Sequence, residues 1–357
     1  MDTPLWTPSA ARIDGAVVTR FRSCVNARRQ LQLADYAALE AWSLDHPADF
    51  WFELARFSNT RADWGDGPPL EHGERMPGAR WFPTARLNFA GNLLRHRDEH
   101  TALIFVNERG TRRELSRRAL YDEVARVAHG LRALGVGAGD RVAGFMPNLP
   151  ETIVAMLATT SLGAIWSSCS PDFGVNGVLD RFGQITPKVL FTADGYFYAG
   201  KTLDSLAPMA QVAPELPGLL QVIVVPYVHD TPDIGALPNA VHYRDFGRAG
   251  APLAFEQLPF DHPLYILYSS GTTGKPKCIV HGAGGTLLQH QKEHLLHVDL
   301  RPDDRLFYFT TCGWMMWNWL ATGLASGAAL VLYEGSPFHP GPRVLWDMAA
   351  AERVAIF

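Results

Sequence analysis

From about residue 101 onward, short apolar runs alternate with longer amphipathic ones. Residues 102–106, 141–145, 189–192, 222–225, 264–268, 306–309 and 329–332 are apolar and rich in β-branched or aromatic side chains, the pattern of buried strands. A shorter run from Ile165 reads as a strand passing into a loop. Between these runs, Leu120, Val124, Val127, Leu131 and Leu134 fall on one face of a helix that starts after Ser116. Residues 148–162, entered through Pro147 and Pro150, and residues 317–326 read as further helices. Strands separated by helices of this length predict an α/β fold of mostly parallel sheets covered by helices. The glycine-rich run from Gly135 to Asp140 follows a helix and precedes a strand. That is the reverse of the nucleotide-binding order, so it reads as a helix stop.

The pattern differs at both ends and in the middle. Residues 1–100 are rich in tryptophan, proline and charge, with helices expected over 31–43 and from Pro47 onward, and read as a collar packed on a larger body. Residues 193–258 carry Pro208, Pro214, Pro217, Pro226, Pro232, Pro238 and Pro252 and read as a linker-rich surface excursion. Residues 351–357 look like a helix end entering a buried strand, which predicts a truncated chain.

Composition narrows the class. A net charge of −4, 47% hydrophobic and 19% charged residues fit an ordinary globular enzyme, with no broad basic surface for nucleic acid. Cys24, Cys169, Cys278 and Cys312 are scattered, without C-x-x-C or zinc spacing, and read as reduced thiols. The most apolar stretch, 153–166, is interrupted by Thr159, Thr160 and Ser161, and the first residues lack a basic-then-apolar leader. A soluble cytoplasmic protein is expected. Nothing in the pattern sets an oligomeric state.

The strongest chemical signal follows the run 264–268. Ser269, Ser270, Gly271, Thr272, Thr273 and Gly274 have no side chain larger than threonine, and Lys275 and Lys277 flank Pro276. Small residues let backbone N–H groups converge on an anion, hydroxyls add donors, and the lysines bring charge: a phosphate cradle. Only Lys188, Lys201, Lys275, Lys277 and Lys292 are lysines, so two of the chain's few lysines sit in this segment. A P-loop is excluded, because Ser269 stands where its first glycine belongs and Pro276 where its Ser/Thr belongs. A dinucleotide fingerprint fails on glycine spacing. The plainer alternatives are a solvated loop and, for Lys277, a structural ion pair.

Two further groups invite chemistry. Thr310 to Trp319 follows a strand and carries three tryptophans and two methionines, either a wall for a small acyl group or pantetheine arm, or an aromatic core. His290, His294 and His297 share one face of a helix expected over 286–297. A metal site needs further ligands, so a partly exposed helix face is expected, and no metal-binding residue is assigned. The start of that helix is a possible anion site. His281 reads as a packed strand-end histidine rather than a general base.

The segment Ser-Ser-Gly-Thr-Thr-Gly-Lys-Pro-Lys at 269–277 resembles the phosphate-binding signature of the acyl-adenylate-forming superfamily of AMP-dependent synthetases and ligases, with Cys278 where the family usually has glycine. Tyr36, Trp42, Pro47, Trp51 and the run 87–90 resemble the N-terminal extension of its short-chain acyl-CoA synthetases. Gly-Thr-Thr-Gly at 271–274, with the segments 166–174, 310–318 and 327–337, is similar to the branch that takes acetoacetate.

The resemblance implies that acetoacetate and ATP give an acyl-adenylate and pyrophosphate, after which CoA displaces AMP, with Mg²⁺ on the phosphates. It implies phosphate binding by Ser269, Ser270, Gly271, Thr272, Thr273, Gly274, Lys275 and Lys277, with Thr272 and Lys277 catalytic. It implies an acyl pocket of Gly313, Trp314, Met315, Met316 and Trp317. It also implies an extension over 1–100 and an AMP-binding domain over 101–357 that lacks its C-terminal end and lid, so the chain alone is expected to be inactive or nearly so. Acetate, propionate or butyrate as the acid, a phosphoryl-transferring kinase, and a non-catalytic adenylate-binding fragment are the alternatives.

Overall fold

The computed structural model describes residues 5–269 and 274–357. A seven-stranded sheet runs in the order Ala240–His242, Gln221–Val225, Val189–Ala193, Arg141–Phe145, Ile165–Cys169, Pro263–Tyr268 and Cys278–Gly282. Every neighbouring pair is parallel except the last, where Cys278–Gly282 returns antiparallel along the edge. A four-stranded sheet has the order Arg305–Phe307, Ala329–Glu334, Thr101–Asn107 and Arg112–Ser116, again parallel but for the last pair. The expected mostly parallel α/β architecture is what the chain forms.

Between the sheets lie the helices Arg117–Ala133 and Pro150–Ser161. All of the second helix except Glu151 is buried, which is why its sequence is apolar around its whole circumference. Its polar residues stay inside because they bond backward: Thr159, Thr160 and Ser161 donate to the carbonyls of Ala155, Met156 and Ala158 at 2.7, 2.9 and 2.7 Å. Leu103, Phe105, Leu330 and Leu332 from the small sheet and Val142, Trp166, Phe191 and Ile223 from the large one share a single core. Gly144 interrupts an otherwise bulky strand because a Cβ there would lie 2.6 Å from the Trp166 ring.

The collar is more helical than its sequence announces. Pro47–Phe57 starts where expected, but the helix sought at 31–43 is Tyr36–Asp45, begun by Asp35, whose Oδ1 accepts from Ala38 N at 2.9 Å. Ala10–Gly15 and Val17–Arg29 are additional helices. Phe21 and Val25 join Leu39, Trp42, Phe50 and Leu54 in a separate small core. The region 193–258 is not a surface excursion. Besides the strand expected at 222–225 it supplies the outermost strand of the large sheet, the helix Leu206–Val212 and the hairpin Gly195–Tyr198/Lys201–Asp204, and it buries Tyr243 and Phe246. Pro208 lies in the first turn of that helix, and the other prolines sit outside these elements. After Val344–Ala351, Ile356 makes a single parallel bridge to Leu306 while Phe357 is exposed, so the anticipated buried terminal strand is one bridge at the surface.

Candidate active site

Tyr268 ends the inner strand whose loop was read as a phosphate cradle, and its hydroxyl accepts from Ser167 on the neighbouring strand at 3.0 Å. Ser269 N donates to Lys277 O at 3.0 Å, and Lys277 N to Ser269 Oγ at 2.9 Å, so these two residues close the base of the segment. Ser270, Gly271, Thr272 and Thr273 lie outside the described residues. Gly274 is exposed at φ 146°, open to glycine alone. Lys275 and Lys277 are exposed, and Lys275 Nζ stands 3.7 Å from Asp180, a solvated pair of little energetic weight.

The support beneath the segment is a helix that sequence reading passed over. Val175–Ile185 brings Gln184 Nε2 to Pro276 O at 2.8 Å. It also lays the Arg181 guanidinium over Phe173 at 4.3 Å and against Tyr268 at 5.7 Å. A cation stacked between two rings beside the segment is an electrostatic asset for an anionic ligand. The polar residues Asp180, Arg181 and Gln184 were visible in the sequence, but the element they face was not.

The aromatic segment reaches the same end of the large sheet. Ser168 Oγ donates to Cys312 O at 2.6 Å, the Cys312 thiol to Pro147 O at 3.4 Å, and Trp317 Nε1 to Asn148 Oδ1 at 2.9 Å. These bonds tie the loop after Arg305–Phe307 to the carboxyl ends of the strands Arg141–Phe145 and Ile165–Cys169. Gly313 lies close to Ser170 and Phe173, so a larger residue there would press on the backbone at 3.3 Å. Trp314 and Met315 are exposed, Met316 is half-buried and Trp317 is fully buried, all but Trp314 on the helix Met315–Thr322. The candidate acyl residues thus divide between an outward face and a buried anchor. Burial pushes the Cys169 thiol up to about 12 and raises that of Cys312, so both are packing groups rather than nucleophiles.

Between these loops opens a cavity of about 340 Å³ lined by Asn148, Asp172, Phe197, Thr311 and Glu334 among others. Its walls come from the carboxyl ends of parallel strands in both sheets, the place where open α/β sheets bind ligands. Thr311 Oγ1 is buried without a hydrogen-bond partner among the described residues. Glu334 is the strongly perturbed acid here. Burial raises its carboxyl to about 7, although it accepts from the Tyr227 hydroxyl and, at 3.1 Å, from Phe197 N. Asn107 Nδ2 in turn donates to the Tyr227 oxygen at 2.9 Å. Glu334 was visible only at the end of an apolar run; its burial and partners come from separate segments.

The histidines are elsewhere. The helix expected at 286–297 begins at Ala283, and its first N–H groups already donate to His262 O and Phe260 O at 2.9 and 2.8 Å. It starts where the edge strand ends, the far end from Ser269, so it offers the cradle no dipole. His281 lies at that far end, half-buried, its ring 5.2 Å from Tyr265 and its pKa lowered by burial. His290 and His294 are not on an exposed face: both are buried, and only His297 is exposed. The chain crosses from α- to π-helix at Glu293–His297, which turns His294 onto Trp319 with ring centroids 4.4 Å apart. Among the described residues no three acidic, histidine or cysteine side chains gather around a common point, and no helix is long and apolar enough to cross a membrane.

Comparison with known proteins places this geometry. The chain is 52% identical to the acetoacetyl-coenzyme A synthetase of Rhizobium meliloti over 100% of its own length and 55% of that protein's. It is 46% identical to the acetoacetyl-CoA synthetase of Gallus gallus over 96% of its length and 53% of that protein's. The solved acetoacetyl-CoA synthetase of Streptomyces lividans superposes with a TM-score of 0.94 at 43% identity, covering 99% of this chain and 55% of that one. The chain therefore spans about half the length of the curated relatives it matches. The model of the AMP-binding enzyme family matches residues 90–357, which contain both sheets, the segment closed by Ser269 and Lys277, and the cavity at Glu334, and the chain belongs to that family.

Proposed function

We propose that this chain forms the ATP-gripping and acyl-facing part of an AMP-forming ligase that joins acetoacetate to CoA through an acyl-adenylate. The observation that carries the reading is the convergence of the Ser269–Lys277 base, Arg181 and the Thr310–Trp314 loop at the carboxyl ends of parallel strands. The names of the relatives supply the acid. Activation needs the triphosphate held with its α-phosphorus toward the carboxylate and its developing charge neutralised. Ser269, Ser270, Gly271, Thr272, Thr273, Gly274, Lys275 and Lys277 hold the phosphates in this reading. Thr272 and Lys277 act at the reacting group, and Gly313, Trp314, Met315, Met316 and Trp317 line the acyl side. ATP and CoA are substrates. Mg²⁺, when bound, would neutralise charge on the phosphates. Residues 1–100 serve as an extension and 101–357 as the AMP-binding unit. Carboxylate-dependent ATP–pyrophosphate exchange by the full-length gene product tests this, with acetoacetate, acetate, propionate and butyrate compared. Acetoacetate is expected to be preferred; preference for acetate, or release of ADP, overturns the reading.

A further inference from the structure

At the end of the sheet remote from the phosphate segment, two cavities adjoin. One of about 330 Å³ is lined by Arg80, Trp81, Phe82, Phe260, His281 and Thr286 among others. The second, of about 210 Å³, shares Trp81, Phe82, Phe260 and Gly285 with the first and adds Trp51. The walls are aromatic: Trp51 meets Trp81 edge-on at 6.3 Å, and Phe82 lies 4.9 Å from Phe260. One end is polar. His281 is held neutral by burial, Thr286 is buried, and the Tyr265 hydroxyl beside Thr286 is buried without a well-formed hydrogen bond. At the rim Arg80 and Asp261 are exposed and of opposite sign, with Arg80 already 3.0 Å from Glu71.

Two local costs meet at these walls. Gly284 and Gly285 are adjacent in the first turn of Ala283–Lys292, although glycine is a poor helix former relative to alanine. Packing explains Gly284, since a Cβ there would lie 2.2 Å from the Phe260 ring; a Cβ on Gly285 would meet nothing within 4 Å. Phe82 holds φ at 44°, a left-handed conformation that a bulky residue adopts only when its surroundings force it. Gly285 is the departure that packing does not require, and such departures are expected at functional or strained sites.

We infer that these joined cavities form a second small-molecule site, which takes a neutral planar aromatic or heteroaromatic ligand with one hydrogen-bonding edge. The rings stack on Trp81, Phe82 and Phe260, and the edge is read by neutral His281 and Thr286. Arg80 is already paired with Glu71 at the rim, which leaves an anionic ligand no free cation there. The site is independent of the phosphate segment, which lies at the opposite end of the strand pair Pro263–Tyr268 and Cys278–Gly282.

The test uses indole and benzamide as probes, cyclohexanemethanol as the non-aromatic control, and saturation-transfer NMR on the 357-residue chain with and without Mg·ATP. Both aromatic probes are expected to bind at micromolar to low-millimolar concentration whether or not ATP is present. Gly285→Leu, whose Cβ would meet nothing within 4 Å, is expected to fill the shared space and weaken them at least tenfold while the melting temperature stays level or rises. His281→Leu is expected to weaken benzamide more than indole. Absence of binding at low-millimolar probe concentration overturns the inference. Equal binding to the Gly285→Leu variant, equal binding of cyclohexanemethanol, or displacement by ATP does so as well.

Discussion

His294 is a sharp test of how burial controls this fold. Its ring is fully buried against Trp319, and neither nitrogen has a well-formed hydrogen bond. Burial, reinforced by neighbouring His290, lowers its pKa from 6.5 to about 3; His290, itself near His281 and Glu293, is lowered to about 4. Below pH 6.5 the unfolded chain therefore binds a proton that the folded chain refuses, and stability falls with acidification. Because the folded value lies well under pH 5, the magnitude depends only on the unfolded one. About 1.5 pH units below 6.5, at ~1.4 kcal/mol per unit, gives about 2 kcal/mol lost at pH 5 for His294 alone. His294→Leu keeps an apolar group on Trp319 and removes the titration. Urea midpoints followed by tryptophan fluorescence at pH 7 and pH 5 should show the variant gaining about 2 kcal/mol on the wild type between the two conditions. A difference that stays constant within about 0.5 kcal/mol would show that the folded ring takes up a proton near its ordinary pKa, and the burial argument would be refuted.

Glu334 has the opposite sign. Its carboxyl is raised from 4.5 to about 7, so it contributes stability fully below pH 4.5 that is lost as pH rises through 7. Glu334→Gln should remove that decline, read as the slope of unfolding free energy between pH 5 and 7.5. Asn148→Ala leaves the buried Trp317 Nε1 without its acceptor and should cost roughly 1–3 kcal/mol in urea unfolding. Gly144→Ala drives a Cβ to 2.6 Å from Trp166 and should cost roughly 1–3 kcal/mol by the same assay. Lys277→Ala in the full-length protein should reduce ATP–pyrophosphate exchange far more than it lowers the melting temperature, since an exposed lysine has little packing to lose; matched losses would favour a structural lysine.

The alternation of apolar runs with amphipathic ones was sufficient to identify most of the parallel strands and the two helices between the sheets, because each element's periodicity is a local property of the chain. The same is true of the small-residue segment after Tyr268 and its two lysines, since their chemistry is written in adjacent residues. Signals failed where burial depends on distant partners. Val17–Arg29 carries several charges, and its core face shows only once Phe21 and Val25 meet Trp42 and Phe50. The prolines of 193–258 looked like a linker because turn residues are local, whereas strand pairing at the sheet edge is not. His290 and His294 looked solvated because histidine is usually exposed, and only packing against Trp319 and Thr322 shows them buried and neutral. At the candidate site, tertiary structure alone brought Arg181 over Tyr268, set Glu334 beneath Tyr227 and pinned Cys312 to Ser168. The chain thus carries its secondary structure and reactive residue types in local pattern. Which of those residues face one another, and with what charge, is decided by the desolvation and hydrogen bonding that folding imposes.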